Sequence, residues 1–321
     1  MYFGRSRSLQ YKFAASKYLG LEFVGQHRTL LTSKRSIAMT DSRSEICEFS
    51  KSFKTDLKSL CIYVQGTYMV VNVKGELVVL RDGNESVFLS DAFAVERVSR
   101  RVANDLVVVT RTNGTIDLIR VDSSSLSSIA TASLHDSKAK VVSAKCFQLD
   151  NTGYLSVVSM KSSSSYSLAL YKIEKTSIKL SSSVLSFRLN SKLKRVAVHT
   201  SSSSSVLFTC LDSSNKCTTF RVRDGSIHTI SEQTFQQTAL DIMDLDEMLL
   251  IVFKTSMSLW SSRFGVMLET DTVTKDHSVT CLSRSYTGTK IAYVSMFEHE
   301  AREHHSLSLS LSLLSPHHTY T

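Results

Sequence analysis

The sequence predicts an all-β protein, and within that class a WD40-like β-propeller with degenerate repeats and about six or seven blades. Three observations predict this fold. Short runs rich in β-branched and aromatic residues recur along the chain, glycine-containing turns separate many of them, and the turns recur at intervals near the length of one blade. The chain has 321 residues, which is long for one hydrophobic core but ordinary for a closed propeller.

The strand-like runs begin near Ser36 and continue to about Val294. Many place β-branched residues at alternate positions, which is the pattern of a strand with one buried face. Stretches rich in Ala and Glu, which favour helices, are scarce. The balance of residues therefore favours strands throughout this region.

Glycine marks several turns between these runs, because it accepts the positive φ that tight hairpins require. The four turns are Val73-Lys74-Gly75, Thr112-Asn113-Gly114, Arg223-Asp224-Gly225 and Tyr286-Thr287-Gly288. Asn113-Gly114 is the strongest signal of the four, since Asn-Gly is the preferred pair of a two-residue hairpin loop. It predicts a hairpin between residues 106–109 and 115–118.

The inner hairpin turns indicate a repeat whose mean spacing approaches one four-stranded blade, about 40–50 residues. These turns are predicted near Lys74, Asn113, Ser163, Ser203, Lys254 and Thr287. The spacing is uneven, and the Gly-His and Trp-Asp signatures of the WD40 repeat are absent from the chain. We therefore expect degenerate repeats, with a pair of β-sandwiches as the structural alternative.

The chain divides into three predicted regions. Residues 1–35 form a basic N-terminal segment that could supply the first propeller strand, and residues 36–300 form the propeller. Residues 301–321 are a low-complexity tail, in which Ser and Leu alternate before the only proline, Pro316. We expect this tail to be disordered or to be an artefact of the gene model.

Positive charge is concentrated at the N-terminal end. The formal net charge is +9, and the first sixty residues hold eleven Lys and Arg against five Asp and Glu. Such a bias is typical of a surface that meets RNA or another polyanion, with a solvated basic face as the alternative. A smaller cluster, Lys192, Lys194 and Arg195, is better explained as a solvated turn than as an RNA contact.

The six cysteines (Cys47, Cys61, Cys146, Cys210, Cys217 and Cys281) include no Cys-x-x-Cys pair. This spacing argues against a zinc site and a dense disulfide framework. It predicts buried free thiols in a reducing compartment. A secretory leader and a continuous apolar run of about 20 residues are also absent, so we expect the protein in the cytosol or nucleus.

Motifs for catalysis and cofactor binding are missing, so the sequence predicts no enzyme, no cofactor and no catalytic, cofactor-binding or metal-binding residue. Ser191 and Lys194 fit Ser-x-x-Lys by chance, without partner motifs. The segment from His299 to His305 misses the His spacing of a metalloprotease helix by one residue. Partner and RNA contact residues stay unassigned.

For three further residues we prefer a structural explanation to a functional one. Asn84 and Asn113 fit glycosylation sequons, but without a secretory leader they are better explained as turn residues. Trp260, the only tryptophan, ends an apolar run. We expect it to pack in the core, with a partner hot spot as the alternative.

One segment carries a family resemblance. It runs from Thr238-Ala239-Leu240-Asp241 through Met248–Val252 to Met257-Ser258-Leu259-Trp260 and on to Leu268. It resembles the late-propeller segment of the nucleolar protein eleven family, in which an Ala-Leu-Asp strand precedes an apolar strand and a Leu-Ser-x-Trp strand. The stretch from Gly66 to Val98, with the strand pair up to Val121, is similar to the first blades of that family.

The resemblance implies a subunit of the t-UTP (UTP-A) part of the small-subunit processome. Its implied role is that of a nucleolar propeller scaffold supporting pre-rRNA transcription and early processing, followed by a helical C-terminal region. The implied partners are other t-UTP and processome proteins, with pre-rRNA as a further partner of the basic N-terminal region. No functional residue is carried over, because the shared motif is structural.

The leading hypothesis is thus a non-catalytic scaffold in ribosome biogenesis, located in the nucleolus. The alternative is a WD40-like adaptor in another multiprotein assembly, such as a vesicle coat or a ubiquitin ligase. A propeller hydrolase is a third class, and it would need polar ligands gathered at a central channel. The scattered Asp and His residues show no spacing that would gather them.

Overall fold

A computed structural model describes residues 2–11, 18–24, 28–41, 46–99, 102–135, 139–181, 183–200, 205–245, 248–261, 266–272, 277–284, 290–297 and 307–315. Every regular element in these ranges is a β-strand. The chain divides into two compact units. Unit 1 comprises Met1–Cys61, Gln237–Ser261 and Val266–Thr321, and unit 2 comprises Ile62–Gln236 and Ser262–Gly265.

The strands are short and follow one another closely. In chain order they are β1 (Tyr2–Tyr11), β2 (Tyr18–Phe23), β3 (Arg28–Ser33), β4 (Ser36–Asp41), β5 (Ile46–Ser52), β6 (Ile62–Val64), β7 (Thr67–Val71), β8 (Leu77–Arg81), β9 (Asn84–Leu89), β10 (Ala92–Arg97), β11 (Leu106–Arg111), β12 (Thr115–Val121), β13 (Leu126–Ser133), β14 (Lys140–Leu149), β15 (Thr152–Met160), β16 (Ser165–Ile173), β17 (Ile178–Leu180), β18 (Leu185–Arg188), β19 (Leu193–Thr200), β20 (Val206–Asp212), β21 (Lys216–Arg223), β22 (Ser226–Thr234), β23 (Asp241–Leu245), β24 (Met248–Val252), β25 (Ser256–Ser261), β26 (Val266–Thr272), β27 (His277–Arg284), β28 (Lys290–Phe297) and β29 (Leu307–Ser315).

Unit 2 is built from antiparallel sheets in which neighbouring strands follow chain order. They are β6–β9, β10–β13, β14–β17 and β19–β22. The short strand β18 joins the third sheet by pairing with β16. Each sheet is an up-and-down meander, which is the form of one propeller blade.

Unit 1 contains two meanders of the same kind, β2–β5 and β23–β26. Its third sheet has the order β1-β29-β28-β27, so a strand from the start of the chain pairs with strands from its end. Arg7, for example, lies opposite Leu311. A sheet completed by both chain ends fastens the two termini together through backbone hydrogen bonds.

The fold is therefore a WD40-like β-propeller, and the predicted fold class is confirmed. The described residues contain seven such sheets, within the predicted range of blades. Six of them are separate meanders and the seventh is completed by β1, and none is one layer of a sandwich, so the alternative of paired β-sandwiches does not apply.

The core of unit 2 lies between successive sheets. Strand β11 shows the pattern, because Val107 and Val109 pack toward β6–β9 whereas Leu106 and Val108 pack toward β14–β18. All four side chains are buried. Burial of one such side chain contributes about 1.5–3 kcal/mol, and burial on both faces explains why this strand is apolar at successive positions.

The last two sheets of unit 2 share an aromatic cluster. The Phe187 ring lies 5.5 Å from Tyr166, 5.3 Å from Phe208 and 5.2 Å from Phe220, measured between ring centroids. Rings at these separations attract one another beyond the effect of burial. The cluster joins β16 and β18 of one sheet to β20 and β21 of the next.

The predicted glycine turns are confirmed where the structure describes them. Gly75, Gly114 and Gly225 have φ values of 79°, 87° and 71°. The Asn113-Gly114 hairpin joins β11 to β12, as predicted. Gly288 lies outside the described residues.

Two predicted inner turns, near Ser203 and Thr287, are wrong, although both residues lie outside the described ones. The connection at Thr287 joins β27 to β28, whereas the inner pair of that sheet is β28 and β29. The connection at Ser203 joins β19 to β20, whereas the inner hairpin of the sheet is β20–β21. Its turn is formed around Asp212, whose Oδ1 accepts hydrogen bonds from the backbone N–H groups of Ser214 and Lys216. A turn that is capped in this way needs no glycine. Its sequence signal is therefore weaker than that of the serine run at residues 201–205.

The terminal segments also contain strands. Residues 1–35 include β1, β2 and β3. The pairing of β1 with the C-terminal strand β29 is not part of the sequence prediction. Within the predicted tail, residues 301–321, residues 307–315 form β29, which lies between β28 and β1. Alternation of Ser and Leu has the period of a strand, which explains how this run forms a ladder.

Candidate functional site

A cavity of about 180 Å³ lies in unit 2 against the hairpin of β15 and β16. Its inner wall is formed by Val157, Ser159, Ser167 and Ala169, and we call it the β15–β16 pocket. Tyr171 and the connection after β13 line one end, and Lys161 lies at the other; His135 and Lys161 are both exposed. The candidate site is described from this cavity.

The pocket exists because small side chains face each other across the hairpin. Ser159 lies directly opposite Ser167, and Val157 lies opposite Ala169. Residues that oppose each other in an antiparallel pair point to the same face of the sheet. Two serines and an alanine at successive paired positions fill less space than the large apolar residues elsewhere in the core, and a cavity remains.

The outer edge of this sheet is interrupted at the same place. Two short strands pair with β16: β17 opposite residues 171–173, and β18 opposite residues 165–168. Between them the Ser181 N–H donates to the Leu170 carbonyl over 2.7 Å. Val184, which immediately precedes β18, lines the pocket. The gap between β17 and β18 therefore lies beside Ala169, next to the small side chains that line the pocket.

Tyr171 anchors the end of the pocket that Leu134 and His135 line. Its side chain is 1% exposed, its hydroxyl accepts a hydrogen bond from the His135 backbone N–H at 3.2 Å, and it donates to the Ser133 carbonyl at 3.4 Å. Burial raises the pKa of this phenol, so the group stays neutral at physiological pH. Tyr171 thereby holds the Leu134-His135 segment against β16.

The open end carries positive charge. Lys161 is exposed, and its Nζ donates to Ser186 Oγ on β18 over 3.3 Å. The described residues that line the pocket include no carboxylate. Hydroxyl groups inside and an ammonium at the mouth suit an anionic ligand. A nucleophile hydrogen-bonded to a base, which acyl or phosphoryl transfer would require, is not among these lining residues.

The sequence offered little signal for this pocket. Ser159 and Ser167 flank the β15–β16 turn at matched positions, which is the one pattern that could have indicated them. His135 and Val184 come from connections that are distant in sequence. Only the tertiary arrangement brings these residues to one place.

The cluster of Lys192, Lys194 and Arg195 lies in the turn before β19 and at its start. Lys192 and Arg195 are exposed, as predicted, but only Lys192 lies in the turn, because Lys194 and Arg195 belong to β19. Ser191 does not face a lysine base: its hydroxyl accepts hydrogen bonds from the Ser213 hydroxyl and the Ser214 N–H. It ties this turn to the β20–β21 turn.

The basic N-terminal region is partly paired with acids. Arg28 Nε lies 3.0 Å from Glu48, and both Lys34 and Arg35 contact Asp56. Hydrogen bonds from Lys34, and next from Arg35, lower the pKa of the Asp56 carboxyl. These pairs are solvent-exposed and contribute little to stability. They also reduce the charge that three of these cations present outward.

The surroundings of the remaining candidates are as follows where they are described. Trp260 is half-buried on β25, opposite the buried Leu249 and beside Met267, which is 53% exposed. Asn113 Oδ1 accepts from the backbone and hydroxyl of Thr115 within the turn, as expected for a turn residue. Asn84 begins β9. The segment from His299 to His305 lies outside the described residues.

The described cysteines are free thiols. Cys61, Cys210 and Cys217 are buried, whereas Cys47 and Cys146 are half-buried. Burial raises the pKa of Cys217 to about 12. The side chain of Cys281 lies outside the described residues.

Two kinds of feature are absent from the described residues. No three His, Cys, Asp or Glu side chains in this part of the chain are grouped closely enough to hold a metal ion. Within the same residues, no helix is present that could cross a membrane.

Comparison with known proteins gives a fold and no family. No family model matches the chain, and no curated protein matches it. In contrast, 1061 chains of solved structures match, so the fold is common and does not by itself specify a function.

Three solved structures illustrate the likeness. The WD40 domain of Neurospora crassa Pan2 has a TM-score of 0.65 at 8% identity, covering 98% of this chain and 97% of that one. BBS1N, solved in complex with ARL6DN, has a TM-score of 0.65 at 11% identity, covering 96% and 98%. BamB from Moraxella catarrhalis has a TM-score of 0.58 at 10% identity, covering 94% and 85%. At these identities the likeness concerns the fold alone.

Proposed function

We propose that this protein is a non-catalytic propeller scaffold in ribosome biogenesis, acting in the small-subunit processome of the nucleolus. The observation that carries the proposal is the segment similar to the nucleolar protein eleven family. That segment, residues 238–268, spans β23, β24 and β25 and enters β26. The resembling residues therefore belong to one four-stranded sheet.

A second observation supports the scaffold part of the proposal. The chain has the WD40-like propeller fold, and its candidate pocket has the hydroxyls and the cation of a binding site. Propellers present many loops on a rigid frame, which suits simultaneous contacts with several partners. Under this proposal the partners are other t-UTP and processome proteins, and pre-rRNA meets the basic N-terminal region.

The RNA contact has a charge-based consequence. Arg28, Lys34 and Arg35 are engaged by carboxylates, so the contact with phosphates would depend on the other cations of the first sixty residues. Binding through lysine and arginine releases counterions and weakens steeply as salt rises. The proposal therefore expects association with pre-ribosomal particles to be salt-sensitive.

A second candidate function is an adaptor in another multiprotein assembly, such as a vesicle coat or a ubiquitin ligase. The observation in its favour is that BBS1N, a propeller of similar structure, was solved in complex with ARL6DN. A protein with this fold can therefore belong to an assembly other than the processome.

Localisation separates the two candidates. Full-length protein with a fluorescent tag should coincide with a nucleolar marker in living cells if the processome proposal holds. An even cytoplasmic distribution, or vesicle-like foci without nucleolar signal, would reject it and favour the adaptor. Tagging at either end in parallel controls for interference with the sheet that both chain ends complete.

A further inference from the structure

We propose that the β15–β16 pocket binds the side chain of a glutamate in a short segment of a partner protein. The inference rests on the geometry of unit 2 and holds whichever assembly the protein serves. Four properties of the pocket carry it: the charge at its mouth, the hydroxyls inside, its apolar wall and an exposed apolar neighbour.

Charge selects an anion. Lys161 lies exposed at the mouth, and within the described part of the chain it forms no ion pair. Its contact with Ser186 Oγ, at 3.3 Å, is a hydrogen bond to a neutral group and leaves its charge available. A carboxylate at the mouth would gain a charge-assisted hydrogen bond, which is about twice as strong as a neutral one.

The hydroxyls define where the carboxylate lies. Ser159 and Ser167 are 8% and 5% exposed and line the pocket from directly opposed positions. Ser167 Oγ donates to the Ser159 carbonyl at 3.5 Å, which is at the limit for a hydrogen bond and can be exchanged for a better acceptor. Both hydroxyls can rotate to donate to a carboxylate oxygen.

The apolar wall calls for methylene groups next to the carboxylate. Val157 and Ala169 form the wall below the serines, and Leu134 and Val184 lie at the sides. An apolar cavity of about 150 Å³ is large enough for a benzene ring. The 180 Å³ of this pocket therefore accommodates the two methylenes and the carboxylate of glutamate.

Leu180 favours a polypeptide over a free dicarboxylate. It lies opposite Tyr171 in the β16–β17 pair, so its side chain points to the face that contains the pocket. It is 42% exposed, although most side chains of its type in this unit are buried. A segment with an apolar residue next to the glutamate would cover Leu180 while the carboxylate enters the pocket.

Peptides provide the probe for this inference. The peptide acetyl-Gly-Leu-Glu-Leu-Gly-amide, carrying a fluorophore, is titrated with the full-length protein and followed by fluorescence anisotropy. Parallel arms replace its glutamate with glutamine and add free glutarate as a competitor. The protein variants are Lys161→Glu and, as a matched control on the same sheet, Lys175→Glu. Lys175 is exposed in the connection between β16 and β17 and does not line the pocket.

The proposal expects the glutamate peptide to bind about ten-fold more tightly than the glutamine peptide, because one charge-assisted hydrogen bond is lost. Lys161→Glu should remove this preference, and Lys175→Glu should keep it. Equal affinity of the two peptides, or equal loss in both variants, would overturn the proposal. If free glutarate displaces the peptide when the two are at equal concentration, the pocket binds a small dicarboxylate. That result would overturn the proposal of a partner segment.

Discussion

Thr209 and Thr219 lie directly opposite each other in β20 and β21, with their hydroxyl oxygens 3.0 Å apart. Thr29 and Thr40 form the same pair in unit 1, at 2.8 Å. All four threonines are almost completely buried. Each hydroxyl satisfies the other, so a polar pair is accommodated between the two central strands of a sheet.

Removing one hydroxyl of this pair should lower the free energy of unfolding more than removing both. Thr209→Val leaves the buried Thr219 hydroxyl without its partner, and we expect the free energy of unfolding to fall by about 1–3 kcal/mol. The double variant Thr209→Val with Thr219→Val should recover part of that loss. Chemical denaturation measures both, with exposed Thr229→Val as the control. Losses that simply add would contradict the pairing.

Asp212 should be required for the β20–β21 turn. It is 1% exposed, and its Oδ1 accepts from Ser214 N–H, Ser214 Oγ and Lys216 N–H. Asp212→Ala removes the acceptor of the Lys216 N–H and the Ser214 hydroxyl and leaves the Ser214 N–H with Ser191 Oγ alone, so it should lower the free energy of unfolding by about 2 kcal/mol.

Asp212→Asn keeps an oxygen at the same position and should retain most of the stability in the same denaturation experiment. Exposed Asn190→Ala provides a surface control. If Asp212→Asn were as destabilising as Asp212→Ala, the role of the capping oxygen would be refuted.

How much of this molecule is predictable from sequence depends on the range of the interactions involved. Strand β11 and its hairpin with β12 were predictable, because Leu106–Val109 and Asn113-Gly114 are local signals of a buried strand and a tight turn. The turn at Asp212 was not predicted. An Asx cap depends on hydrogen bonds that the sequence does not show, and the serine run at residues 201–205 was the stronger turn signal.

The β15–β16 pocket could not be predicted from sequence. Its wall depends on Ser159 meeting Ser167 in register, and its ends depend on His135 and Val184 arriving from separate connections. A single-residue slip of one strand would place the two serines on opposite faces of the sheet. The split of the outer strand into β17 and β18 likewise has no local signal.

The thiols should differ in reactivity in the folded protein. Cys217 is buried with a pKa of about 12, and burial also raises the pKa of Cys210 well above its usual range. Both should stay protonated and resist iodoacetamide at pH 8, because the thiolate is the nucleophile. Cys47, half-buried on β5, should be modified before them.

Timed alkylation followed by peptide mass spectrometry measures the order of modification. The same reaction in denaturant, where every thiol is accessible, provides the control. Modification of Cys210 or Cys217 at the rate of Cys47 in the native protein would contradict the burial of β20 and β21.

Tyr171 should make stability sensitive to alkaline pH. Burial raises the pKa of its phenol, and the proton is therefore held more tightly in the folded than in the unfolded chain. This contribution is present in full below the unfolded pKa of about 10 and is lost as the pH rises through the higher folded value.

Tyr171→Phe removes this ionisation and serves as the test. The variant should be less stable than the wild type at pH 8, because the His135 N–H loses its acceptor. Above pH 10 the gap between the two thermal midpoints should narrow. A gap that stays constant or widens with rising pH would refute the predicted direction of the pKa change.

The central claim, a propeller scaffold of the small-subunit processome, is tested most directly by affinity purification. The tagged full-length protein is recovered from cells at low and at high salt, with mass spectrometry for proteins and hybridisation for pre-rRNA. The account predicts t-UTP subunits together with pre-rRNA at low salt, and less pre-rRNA at high salt. Coat or ubiquitin-ligase subunits, with no nucleolar protein at either salt, would contradict it.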